Sequence, residues 1–292
     1  MIRGLYTAAA GMVTSQRRHD TATQNIANMN TSGYKQVQSV SHSFPEVLVH
    51  AMDGKGQAAK ALGKMSTGVF AEESFSLYLQ GDVIESGKPL DFALSTDLRL
   101  QDPATGGNMV FDGAGKHIAE DGTVTYQPQA FFTVRDAEGN DLYTRNGSFN
   151  VSADGRVLSA AGFQVLDAAG NPLTLDRPVD NIEVDGAGNL IDPATGQTFA
   201  SLGITYVNNP EELIRDGNGV FHAGDPEAAG IRLVGAADNF QVRQGFLENS
   251  NVDATQVTVD LNAAFRAYEA NQRVVQFYDS TLQKAVNEIG RV

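Results

Sequence analysis

Between Val257 and Ile289 apolar side chains recur at alternating steps of four and three: Val257, Leu261, Ala264, Tyr268, Val275, Tyr278, Leu282, Ala285 and Ile289, with Asn271 the one polar member. Side chains three and four apart share one face of an α-helix, and neither proline nor glycine interrupts the run, so the spacing predicts one heptad helix. At 1.5 Å rise per residue it is roughly 50 Å long and overruns a small domain. Phe265, Val274 and Phe277 widen the apolar face beyond a two-stranded seam, which points to more than one partner helix. The core helix of a single domain carries the same kind of stripe, but this length favours assembly.

The first 28 residues carry a weaker helical pattern, with Ile2, Leu5, Ala9, Met12 and Ile26 spaced for one face and a polar middle at Gln16, His19 and Thr23. Neither terminal helix stands alone. Ordering a residue costs about 1 to 2 kcal/mol, burying a large apolar side chain returns about 1.5 to 3, and only about one residue in three lies on the stripe. Arg3 ahead of GLYTAAAGMV has the outline of a signal peptide, but Arg17 and Arg18 follow directly and the helical pattern runs on to Ile26, so no cleaved signal is expected.

The charge falls unevenly. Residues 1–45 hold four basic side chains and one acid, residues 46–244 hold 13 and 28, and residues 245–292 hold four and six. An acidic middle between nearly neutral ends fits a solvated body whose termini pack against something. The net charge of -14 argues against nucleic acid or an anionic membrane as partner, and no charge-free apolar window is long enough for membrane insertion. With 41% hydrophobic residues the chain can bury a core, and with no cysteine it has no disulfides, thiolate metal site or thiol nucleophile.

The middle reads as short strands and turns. Asp-Gly or Asn-Gly pairs fall at residues 53, 112, 121, 146, 154, 185, 216 and 218, flanked by runs such as FFTV at 131–134 and LGITYV at 202–207, a pattern of antiparallel hairpins. Residues 46–90 are polar with little period and read as an extended arm. The sequence DPATG at 102–106 and 192–196 is read as one turn chemistry used twice. Phosphate-cradling loops, nucleophile elbows and zinc-protease motifs are absent, and the five histidines show no ligand spacing. Asp-Gly segments near 185 and 216 lack the ligand order of an EF-hand loop. No catalytic residue, cofactor or metal is therefore expected.

The opening MIRGLYTAAAGM, the segment NIANMNTSGYK at 25–35, the stretch LYTRNGSFNVSADGRVLSAAGFQVL at 142–166 and the close from GFLENSNVD through RAYEANQ to Ile289 resemble the bacterial flagellar hook and basal-body rod proteins, in that family's order. The resemblance implies a non-enzymatic axial subunit outside the cytoplasmic membrane, passed out unfolded by the flagellar type III export apparatus. Its partners would be copies of itself and other rod and hook proteins. The fold class expected is mixed α and β, with N- and C-terminal helices packing as a coiled-coil-like layer and a mainly antiparallel β body. Residues 1–35 would form the N-terminal helix and turn, 36–90 an extended arm, 91–244 the body and 245–292 the C-terminal helix. The resemblance assigns the subunit interface to Ile2, Leu5, Met12, Ile26, Val257, Leu261, Ala264, Phe265, Tyr268, Asn271, Val275, Tyr278, Leu282 and Ile289, with Asn271 fixing register. Asn25, Asn28, Thr31, Gly33 and Tyr34 match the motif turn, where Asn and Thr side chains satisfy open backbone groups and Gly33 takes a conformation closed to residues with a Cβ. One of Asn249, Ser250, Asn251 and Asp253 should cap the long helix.

Rod relatives run from the strand matching PLDFAL at 89–94 almost directly into the strand matching FFTV, so residues 95–130 read as an insertion, an extra hairpin on the body whose deletion should leave assembly intact. The arm matches a segment of distal-rod relatives, which favours a distal position over a proximal one. A hook-type axial protein, or a cell-wall-binding or enzymatic β domain with oligomerising helices, are the alternatives.

Overall fold

The computed structural model describes residues 2–50, 61–96, 108–112, 115–119, 121–176, 182–235 and 238–289. The chain forms two compact units, one of Met1–Ala27, Val37–Phe75 and Asp253–Val292, the other of Asn28–Gln36 and Ser76–Val252.

The first unit is built on two helices, α1 (Ile2–Ala27) and α2 (Ala254–Lys284), the latter ending in a π-helical turn over Ala285–Ile289. Of the four capping candidates the cap is Asp253, whose carboxylate accepts from the backbone N–H groups of Thr255 at 2.8 Å and Gln256 at 3.1 Å. The helices run antiparallel: Gly4 lies against Tyr278, and Gly11 against Asn271. A Cβ on Gly11 would stand 2.8 Å from the Asn271 amide nitrogen, and one on Gly4 would overlap the Tyr278 ring, so glycine sets how closely the axes approach. On α1 the buried positions are Ala8, Gly11, Thr14, Ser15, Ala22 and Asn25. Ala9, which the periodicity puts on the packed face, is exposed. Large apolar residues advertise a period in the sequence, but the tightest approach goes to the smallest side chains. The Thr14 and Ser15 hydroxyls donate back to the carbonyls of Ala10 at 3.0 Å and Gly11 at 2.8 Å, so their burial leaves no open donor.

The segment read as an arm divides: within 41–71 it forms an antiparallel ribbon, Ser41–Ser43 pairing with Val69–Ala71 and Val47–His50 with Ala61–Met65, while from Ser76 on it belongs to the second unit, where Val83–Glu85 pairs with Phe246–Glu248. Residues 51–60 lie outside the described residues. The foot of the ribbon is bonded to α1, where Arg17 donates to the Ala71 carbonyl at 3.0 Å and Thr7 to that of Thr67 at 3.1 Å. None of its described side chains is buried, and a strand with no buried face shows no alternation in its sequence.

The second unit is antiparallel β throughout its described pairings. Its centre is the strand Gln129–Arg135, paired on one side with Asp141–Thr144 and on the other with Gln164–Val165 and Ile204–Val207. Successive side chains of a strand point to opposite faces. Phe132 enters one apolar cluster with Phe92, Leu94, Phe149 and Val242, while Phe131 enters another with Tyr78, Tyr143, Leu213 and Phe221. The FFTV run is unbroken because this strand is covered on both faces.

Three hairpin turns share the spacing Asp-x-x-Gly-Asn, at 136–140, 167–171 and 185–189. In each the aspartate Oδ1 accepts from the N–H groups two and four residues on, at 2.8 to 2.9 Å, and the glycine takes φ of 93°, 81° and 82° respectively. The Asp-Gly pair alone is therefore a coarser signal than the five-residue unit. The DPATG at 192–196 is also a turn, with the Gly196 N–H donating to the Asp192 carbonyl at 2.7 Å; its counterpart at 102–106 lies outside the described residues. Of the stretch 95–130, residues 97–107, 113–114 and 120 are likewise outside. The rest holds one hairpin, Lys116–Ile118 with Val124–Tyr126, and contributes at its ends to Phe92–Thr96 and Gln129–Arg135. That hairpin packs on the unit through Lys116, whose ammonium stands 3.8 Å from Glu211.

Candidate functional site

The motif turn begins at the end of α1. Buried Asn25 reaches across to Val37 like a strand partner, its Oδ1 accepting from the Val37 N–H at 2.9 Å and its Nδ2 donating to the Val37 carbonyl at 2.7 Å. Thr31 donates its N–H to the Asn28 carbonyl at 3.1 Å and its hydroxyl to the Asn28 side chain at 3.3 Å, and the Tyr34 N–H returns to the Thr31 carbonyl at 3.2 Å. Gly33 has φ 71°, and a Cβ there would stand 2.5 Å from the Arg145 backbone, so both conformation and space demand glycine.

Two residues on, Lys35 enters a buried ionic cluster that joins three distant segments of the second unit. Its ammonium donates to Glu248 Oε1 at 2.6 Å and to the Leu79 carbonyl at 2.6 Å. Arg145 donates from Nε to Glu248 Oε2 at 2.8 Å, with its Nη2 in ion-pair contact with the same oxygen at 2.6 Å; Nη1 donates to the Ala130 carbonyl at 2.6 Å, and Nη2 to the Leu94 carbonyl at 2.9 Å and Gln80 Oε1 at 3.0 Å. The Gly81 N–H completes the Glu248 carboxylate at 2.9 Å. All three charged side chains are 0 or 1% exposed.

Two cations share one carboxylate, and that imbalance governs their protonation. For Lys35, burial outweighs the attraction of Glu248, the Arg145 charge adds to it, and the ammonium is brought down from 10.5 to about 8. Burial pushes the Glu248 carboxyl up, but Arg145, Lys35 and the Gly81 N–H together hold it below the ordinary glutamate value. A neighbouring set ties down the same backbone. Asn251 accepts from the Gln36 N–H at 2.6 Å and donates to Leu77 and Leu79 at 2.9 and 3.3 Å, while Arg215, stacked on Tyr34, donates to the Lys35 carbonyl at 2.7 Å.

Lys35, Arg145, Glu248 and Arg215 are not among the residues the sequence singles out, and Asn251 stands there only as a candidate cap for the long helix. A signal for three was present: Lys35 in SGYK, Arg145 in LYTRNG and Glu248 in GFLEN are each the one charged residue of a short stretch of apolar and turn residues within the resemblance segments. Their convergence needs the fold, because Lys35 and Glu248 lie 213 residues apart.

In the first unit the heptad residues lie along one side of α2. Val257 and Ala264 are buried; Leu261, Tyr268, Asn271, Val275 and Tyr278 are half-buried; Leu282 is at the exposed margin. Phe265 is half exposed, and Val259, Val274 and Phe277 leave an apolar surface on the remainder of the helix. On α1, Leu5, Met12 and Ile26 are half-buried. The side chains of Ile2 and Ile289 lie outside the described residues. Among the described residues no group of three or more His, Cys, Asp or Glu is placed to hold a metal ion, and no helix is long and apolar enough to cross a membrane.

Three family profiles match the chain: "Flagella basal body rod protein" over residues 5–35, "Flagellar hook protein FlgE/F/G D1 domain" over 127–191 and "Flagellar basal body rod FlgEFG protein C-terminal" over 243–288. Their spans contain the motif turn with Lys35, the central strand with Arg145, and Glu248 with α2. The chain is 30% identical to the flagellar hook-basal body complex protein FlhO of Bacillus subtilis over the full length of both. It is 29% identical to the flagellar basal-body rod protein FlgG of Agrobacterium fabrum, over 95% of this chain and 96% of that one. It is 27% identical to the flagellar basal-body rod protein FlgF of Rhizobium meliloti, over 99% of each.

Proposed function

The chain belongs to the flagellar hook and basal-body rod protein family, and we propose that it is a structural subunit of the bacterial flagellar rod, polymerising through its terminal helices into a tube that carries torque to the hook. The observation that carries this reading is the apolar surface of α2. With one side of the helix on α1, Val259 and Phe277 remain 58 and 68% exposed, with Phe265 and Val274 beside them. A long helix with apolar residues beyond its own seam is stabilised when neighbouring helices cover them. Copies of this chain and other axial proteins of the rod and hook supply that cover. The interface runs over Leu5, Met12 and Ile26 of α1 and the heptad and flanking residues of α2, with Ile2 and Ile289 at its ends and Asn271 setting register. The two helices then form a coiled-coil-like inner layer, and the motif turn from Asn25 to Tyr34 leads the chain out of it. The subunit acts by packing and rigidity and needs no catalytic group or cofactor.

A distal position is supported by the ribbon formed in the arm, a paired and therefore stiffer element than a single extended strand. Delivery by the flagellar type III apparatus without a cleaved signal fits the α1 helix continuing through Arg17 and Arg18. The test is electron microscopy of basal bodies isolated with and without this gene, with antibody labelling. Missing or truncated rods in the deletion, and label between the membrane base and the hook, are the expected result. Complete rods and hooks without the protein would overturn the reading.

A further inference from the structure

The stretch 240–251 ties together parts of the second unit that lie far apart in the chain: residues 33–36, 77–96, Arg145 and 182–186. Phe240–Gln244 pairs along its whole length with Phe92–Thr96 and sends Val242 into the main core, and Phe246–Glu248 pairs with Val83–Glu85. Between and beyond the strands, the Gly245 N–H donates to the Asp91 carbonyl at 2.8 Å, the Val242 N–H to that of Gly186 at 2.9 Å and the Asn249 N–H to that of Asp82 at 2.8 Å. The Glu248 carbonyl accepts from the Gly33 N–H at 2.8 Å, and Asn251 joins Gln36 to Leu77 and Leu79.

Among the described residues Glu248 is also the one acid paired with Lys35 or Arg145. Without it, two cations would face each other inside the unit with no anion, an arrangement that burial strongly disfavours. Both pairings are non-local, spanning 213 and 103 residues, so they form late in a chain that gains structure from local contacts first. We infer that the β unit is closed last, by docking of residues 240–251 with Glu248 as the charge that locks it, and that its core stays unfolded until that segment is in place. Unlike a domain that folds as soon as its N-terminal part is free, a chain delivered N-terminus first keeps this unit open until Glu248, near the end of its 292 residues, has been reached. The inference goes beyond a rod role, since it concerns when the subunit folds and not what it joins.

Refolding of the full chain under pulsed hydrogen exchange, read by mass spectrometry, tests it. The amides of Phe131–Val134 and of Phe240–Glu248 should gain protection in a single phase; protection of Phe131–Val134 in an earlier phase would overturn the inference. Glu248→Gln should slow that phase by at least about tenfold or abolish it, because it acts on a contact formed in the closing step. Protection at the wild-type rate in that variant refutes the lock. Lys35→Met with Arg145→Met and Glu248→Met removes the charges together, and should fold without that delay. A delay equal to that of Glu248→Gln would mean that Glu248 matters for shape and not for charge.

Discussion

The two units bury different kinds of residue. In the β unit the core holds Phe92, Phe131, Phe132, Phe149 and Phe221, and the unit also buries the ionic cluster of Lys35, Arg145 and Glu248. Among the described residues of the helical unit the buried apolar side chains are Ala8, Ala22, Val37, Val257 and Ala264, while larger ones such as Tyr6, Phe265 and Phe277 are exposed. Stability scales with apolar area removed from water, so the β unit holds itself together and the helical unit retains area for a partner to cover. The contrast separates what the subunit is from what it joins.

The largest effects should come from the β unit. Phe132→Ala and Glu248→Ala are each expected to cost about 3–5 kcal/mol, the first by leaving a cavity and the second by stranding two buried cations. Denaturant unfolding of the full chain, followed by near-ultraviolet circular dichroism of the tyrosines, measures both. A loss under 1 kcal/mol for either would break the contrast from the β side.

Gly11→Leu drives a side chain into Asn271 and should cost about 1–3 kcal/mol of helix packing. Far-ultraviolet circular dichroism should show the lost helix, while the near-ultraviolet transition of the β unit stays where it was. A shift of that transition as large as the one from Phe132→Ala would show that the units do not unfold separately.

The ionic cluster gives the β unit a pH dependence with a definite sign. Glu248 is held below its unfolded value of 4.5, so its contribution is complete above that pH and is lost as pH falls through the lower native value. Lys35 is held at about 8 against 10.5 unfolded, so between those values the unfolded chain binds more protons and stability from this group rises with pH. Unfolding midpoints measured across both windows should show the acid loss and the alkaline gain, and Lys35→Met should abolish the gain alone.

The smallest effect is at the α2 cap. Asp253→Ala removes the acceptor for Thr255 and Gln256 and should cost about 1 kcal/mol, seen as fraying by hydrogen exchange in the first turn of α2. Exchange unchanged at Thr255–Val257 would mean that the start of α2 is held by packing and not by its cap.

The sequence alone was enough for whatever depends on near neighbours along the chain. Heptad spacing yields α2 and its seam, and turn pairs with β-branched runs yield a β middle, because helix period and turn chemistry operate over a few residues. The face of α1 was less legible: Gly4, Gly11 and Ala8 pack because they are small, and a hydrophobicity pattern gives them little weight. The ribbon within 41–71 left no period because none of its described side chains enters a core. Only the tertiary structure decided that Lys35, Arg145 and Glu248 meet. Each is an ordinary charged residue in its own segment, and nothing local says that three polar groups so far apart share one dry site. Burial makes them a unit, since in the interior each charge must find its partner in the protein and not in water.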